Sequence, residues 1–172
     1  MYKALYNSLD VAGCIINHAI DISHPVSNLS LQKILYYIQA AFLIKEEQIA
    51  FDEPISAWKY GPVVEKVYHE YKTYIDEVID KKVETKTEIS FENDIAIFTE
   101  ESYNPEENID NAQHLQIIKQ ITEAKLKYSP FELVDKTHEE APWIEATKHG
   151  CRYIDLELIK EYFVVHEERI WE

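Results

Sequence analysis

His138, with Glu139 and Glu140 directly after it, sets an imidazole beside carboxylates, the ingredients of general acid–base chemistry. Hydrolysis by such a group also needs an activated nucleophile, and no serine or cysteine stands in a recognisable frame with it. A small hydrolase using His138 is the enzymatic alternative. Thr137-His138 reads better as the end of a helix, with Pro142-Trp143 restarting the chain and the indole plugging the interior. The 7 histidines show no pair at i, i+4 with a third ligand in view, and His69 has only Glu65 and Glu70 near it. Glu46-Glu47 and Glu167-Glu168 are adjacent, so on a helix they project apart and cannot share a task. No catalytic centre, metal or cofactor is expected.

Binding chemistry is better represented. Tyr outnumbers Phe by 12 to 6, which suits surfaces where a ring packs and its hydroxyl stays wet. Tyr36 and Tyr37 stand about 100° apart on a helix, so one is expected in the core and the other at the rim. Tyr37, Tyr60, Tyr68 and Tyr71 are the candidate partner-binding residues, because tyrosine is enriched at interfaces. Amphipathic edges of the core explain the same residues equally well.

Charge points the same way. The 172 residues carry 17 bases and 32 acids, a net charge of −15, of which −13 falls between residues 76 and 172. Such a surface repels nucleic acid and attracts basic proteins, though an isolated acidic run often confers solubility alone. No apolar run approaches a membrane span and no leader pattern opens the chain. The 2 cysteines, Cys14 in an apolar helical run and the distant Cys151, fit free thiols in the cytoplasm. With 46% hydrophobic residues the chain can bury one sizeable core, and only 3 glycines argue against an all-β fold or a phosphate cradle.

The expected elements follow from periodicity. Ser8 or Asp10 caps a first helix running to Asp21, and Ser27 caps a second from Asn28 to about Glu47. The second is apolar around much of its circumference, with Leu31, Ile34, Leu35, Ile38 and Phe42 in one stripe, and belongs in the middle of a bundle. Phe51 to Trp58 reads as a short extended segment. Gly61 supplies a special backbone angle and Pro62 opens a helix reaching Tyr74. Between 76 and 110, 12 acids face 3 bases; alternation from Thr85 to Phe91 permits a hairpin, and a mobile acidic insertion fits as well. Helices are then expected from Ala112 to Leu126, from Ser129-Pro130, from Ala141 to about Lys148, and after Asp155. The sum is a mainly α, single-domain helical bundle over residues 1–172, around a central hydrophobic helix, with a small hairpin or short sheet.

These pieces resemble a known family. Leu31-Gln32-Lys33-Ile34-Leu35-Tyr36-Tyr37, then Ala57-Trp58-Lys59-Tyr60-Gly61-Pro62-Val63-Val64, then Thr137-His138 and Pro142-Trp143-Ile144-Glu145-Ala146 occur in the order found in Panacea-domain proteins, the SocA-like or GepA-like antitoxins of toxin–antitoxin systems and prophages. Asp10-Val11-Ala12 and Phe51-Asp52-Glu53-Pro54 belong to the same ordered set. The 76–110 stretch is longer and less patterned than the family core, and no DNA-binding helix-turn-helix is appended. The resemblance implies a protein that neutralises a cognate toxin by direct binding, in some members by presenting it to a cellular protease. It brings no catalytic residues. Leu31, Gln32, Lys33, Leu35, Tyr36, Tyr37, Trp58, Tyr60, Gly61, Pro62, Val63, His138, Pro142 and Trp143 are family-motif positions, expected to be mostly structural. A phage-encoded adaptor for host proteins is the alternative binding role.

Overall fold

Short polar side chains start most of the helices in the computed structural model, which describes residues 1–172. In chain order the elements are α1 (Ser8–Asp21), α2 (Asn28–Lys45), β1 (Ile55–Trp58), β2 (Gly61–Val64), α3 (Glu65–Tyr71), β3 (Thr85–Glu92), β4 (Ile95–Ser102), α4 (Ala112–Lys125), α5 (Pro130–His138), α6 (Ala141–Lys148), α7 (Leu156–Val165) and α8 (Glu168–Trp171). Ser27, Asn111 and Asp155 accept first-turn N–H groups at the heads of α2, α4 and α7. Ser129 and Glu132 close a reciprocal capping box on α5. The cap of α1 is Asn7 rather than Ser8 or Asp10: its extended backbone turns its side chain onto the Leu9 N–H, and Ser8 is already helical.

The fold is mainly helical with two small antiparallel sheets, β1–β2 and β3–β4. α2 is buried from Ser30 to Leu43, with α1, α4, α5, α7 and β2 packed on its different sides. Its encirclement corrects the expectation for the tyrosine pair. Tyr36 and Tyr37 are both fully buried despite their angular separation, and their rings meet Phe163 of α7 edge-on at 5.7 and 5.9 Å. Tyr37 is therefore not a rim residue. Cys14 is buried, as its helical run implied, and burial pushes its thiol up to about 12.

Pro62 does not open a helix. Gly61–Val64 pairs with Ile55–Trp58 in the register Trp58↔Gly61 and Ala57↔Pro62, and α3 begins only at Glu65. The fixed φ of proline suits an extended segment as well as a first helical turn, and the buried β-branched pair Val63-Val64 continues the strand. Residues 85–102 form the second hairpin, β3–β4, which alternation permitted. Its roots are tied to α1. The Asn17 side chain pairs with both backbone groups of Val83, accepting at 2.7 Å and donating at 3.0 Å, and the Tyr103 hydroxyl donates to Asp10. A side chain at Gly13 would strike Pro105, its Cβ lying 2.7 Å from that ring. The bare glycine is what lets the chain after β4 lie against α1.

Candidate functional site

Several family-motif residues, among them Gln32, Lys33, Trp58, Gly61, Pro62 and Trp143, meet around the tight turn Lys59-Tyr60 between β1 and β2, while Tyr36 and Tyr37 lie in the core. Gly61 sits there at φ 97°, and a Cβ on it would lie 2.7 Å from both Lys33 Cε and Thr137 Oγ1. Only glycine meets both constraints. Beneath it, the fully buried Lys33 ammonium donates to the Pro62 carbonyl at 3.1 Å, and burial pulls its pKa down to about 7. Gln32 accepts from the Val64 N–H at 2.9 Å and donates to Asn28 Oδ1, while Asn28 donates to the Tyr68 carbonyl. The polar side chains of α2 thus satisfy backbone groups that the two-stranded hairpin leaves open.

α5 and α6 hold the hairpin from the other side. The Trp143 indole N–H donates to the Trp58 carbonyl at 3.0 Å, and His138 stacks flat on Trp143 with centroids 3.9 Å apart. Burial, with Lys33 nearby, holds the His138 pKa below its ordinary value, and its Nε2 has no partner. The neighbouring Glu140 does not turn to His138. Its carboxylate accepts from the Tyr37 hydroxyl at 2.8 Å and from Arg169 Nε at 3.0 Å, and burial raises its pKa against the pull of both partners. The structure brings together no three His, Cys, Asp or Glu side chains that could hold a metal ion.

What this framework presents is an apolar groove of about 520 Å³, walled by Trp58, Lys59, Tyr60 and Val63 of the hairpin, Tyr68 of α3, and Ile75, over Asn28, Leu29 and Gln32 of α2. Trp58, expected to be structural, meets Tyr68 edge-on at 4.9 Å and is only partly buried, so its ring forms a wall of the groove. Tyr60 is 51% exposed, with Phe131, 64% exposed, edge-on beside it at 6.4 Å. Ile75 is 81% exposed at φ 54°, ψ −107°. Its turn is closed by the Glu77 N–H on the Tyr74 carbonyl at 2.8 Å, in a conformation that normally demands glycine. A β-branched residue held strained and exposed at a groove is the pattern of a binding position.

Residues 31–144 match the family described as Antitoxin SocA-like, Panacea domain. The chain belongs to this family. Over 58 residues it is 38% identical to Antitoxin SocA of Caulobacter vibrioides (strain NA1000 / CB15N), a stretch covering 34% of this chain and 31% of that protein. The chain thus spans about a third of that relative's length in the match. No solved structure matches. The SocA-like match takes in α2 from Leu31, both hairpins and the start of α6, so the groove lies inside it except for Asn28 and Leu29, which fall just before its start.

Of the candidate partner-binding tyrosines, this SocA-like structure brings Tyr60 and Tyr68 to one groove. Tyr71 lies elsewhere, half-buried beside Leu9, Asp10 and the roots of β3. Ile75, Phe131 and Leu29 were missed. Ile75 stands alone between Tyr74 and Asp76-Glu77, outside any periodic pattern, and Phe131 looks like an ordinary first-turn helical residue.

Proposed function

We propose that this chain is an antitoxin that neutralises a cognate toxin by direct one-to-one binding, with the Trp58–Tyr60–Tyr68–Ile75 groove as its apolar contact. The observation that carries the reading is the strained, exposed Ile75 at a groove walled by Trp58, Tyr60 and Tyr68, within the stretch that matches the family. Antitoxin SocA is named as such, which supports a toxin as the partner. The chain acts in the cytoplasm as one domain built around α2, with 76–110 as an acidic insertion, and it does no catalysis. No helix is long and apolar enough to cross a membrane. The net charge of −15 favours a toxin whose active surface is basic.

Co-expression with the product of the adjacent gene tests this. Growth arrest by that product should be relieved by this chain, and a one-to-one complex should be recovered. Tyr60→Ala combined with Ile75→Ser is expected to weaken the complex by about 2–4 kcal/mol, since exposed aromatic and branched anchors dominate interfaces. Persisting arrest with the chain present and folded would sink the antitoxin reading.

A further inference from the structure

The β3–β4 hairpin carries an apolar face that nothing in the chain covers. The register pairs Ile89 with Phe98 and Phe91 with Ala96, so these side chains share one face, and Ile89, Phe91 and Phe98 are exposed. Every residue of β3 is exposed, as are all those of β4 except Ile97, which is half-buried. Two strands alone have no third layer against which to bury such a face. The roots are nonetheless fixed, by Asn17 on Val83, by Tyr103 on Asp10 and by the Tyr103 N–H on the Glu84 carbonyl at 2.8 Å. A ribbon held at its base and apolar toward its tip is built to be gripped.

Its charge selects the occupant. The ribbon is strongly acidic: Glu100 shares the apolar face, Asp94 lies at the tip, and Glu88, Glu92 and Glu101 line the reverse face beside the single base Lys86, which is itself tied to Glu88 at 2.8 Å. A second copy would set one acidic ribbon against its own image, and the same acids discourage edge-to-edge strand pairing. We propose that the Ile89–Phe91–Phe98 face docks into an apolar cleft bordered by Lys and Arg side chains on the toxin, as a second contact separate from the groove. The inference rests on the antitoxin reading. Apolar burial supplies the lasting affinity, and the acids of the tip and reverse face align the ribbon with the basic rim of the cleft that grips it.

The probe is the product of the adjacent gene, expressed from an inducible promoter with this full chain. Combined Ile89→Ser, Phe91→Ser and Phe98→Ser substitutions should leave the melting curve unchanged and weaken the complex roughly 100-fold. A benzoylphenylalanine photocrosslinker at position 98 should capture the toxin, whereas the same group at position 99, on the opposite face, should not. If the unaltered chain relieves growth arrest and the triple variant binds equally tightly, the ribbon assignment falls while the antitoxin reading stands. A crosslink from position 98 to a second copy of this chain also overturns it. If the unaltered chain fails to relieve arrest, or the neighbour causes none, the antitoxin reading falls and the ribbon assignment with it.

Discussion

A methyl group on Gly61 would have to displace both the Lys33 stem and the Thr137 hydroxyl, in a backbone at φ 97°. Gly61→Ala is therefore expected to cost about 2–4 kcal/mol, combining backbone strain with overpacking, and urea denaturation reads it directly. An unchanged midpoint would mean that the hairpin can shift. Lys33 makes a different prediction. Its amine titrates at about 7 in the folded protein and at 10.5 when unfolded, so between those values the unfolded chain holds a proton that the folded one lacks. Stability should then rise with pH across that window by ~1.4 kcal/mol per unit, and stay flat in this respect below it. Lys125, lowered by burial to about 8, adds to the rise above that value. The trend reverses once Tyr36 and Tyr37, whose pKa values burial raises, ionise in the unfolded chain only. Denaturation curves at pH 7, 8 and 9 check this: Lys33→Met should remove the slope between 7 and 8. Ile75→Gly should move opposite to most substitutions, stabilising the fold by ~1 kcal/mol through relief of its turn while weakening toxin binding.

At the scale of elements, α8 is fastened by the buried Ile170, by Lys125 on the Arg169 carbonyl and by an ion pair of Arg169. Arg169 donates to the buried Glu140 carboxylate at 3.0 Å and to the Lys136 carbonyl at 3.1 Å. Arg169→Ala leaves Glu140 unpaired and should destabilise by about 3 kcal/mol at neutral pH. The deficit should shrink on acidification, because a buried carboxyl without its partner protonates more readily; a deficit independent of pH would show that packing alone was lost. This latch was invisible in the sequence, since four-residue α8 has no periodicity and Arg169 lies 29 residues beyond Glu140. The longer helices were legible because caps and apolar spacing agreed, as at Ser27, Ser129 and Asp155. Pro62 was misplaced because its restricted φ serves a strand and a helix start alike, and pairing with Ala57 decided the matter. Of the motif, Gly61 and Lys33 serve the scaffold, whereas Trp58 and Tyr60 wall the groove. The groove was not legible, because exposure of Ile75 and Phe131 follows from tertiary placement and leaves no local pattern.

For the whole molecule, the unequal spread of charge yields a prediction that follows from the proposed antitoxin role. The rate of toxin association should fall steeply as salt is raised from about 50 to 500 mM, with the dissociation rate nearly unmoved, because screening acts on the approach rather than on buried contacts. Stopped-flow or surface-binding kinetics separate the two, and a salt-independent association rate would remove the steering role of the acidic half. The way β3–β4 is attached has a further consequence. Asn17 recognises only the backbone of Val83, and the strands contribute no fully buried side chain to the interior. Residues 85–102 can therefore be exchanged as a cassette: one frame, anchored at Val83 and Tyr103, could display ribbons of quite different sequence without refolding its interior. Lineages of this frame would be free to change opponents by rewriting eighteen surface positions, and the same route is open to deliberate retargeting.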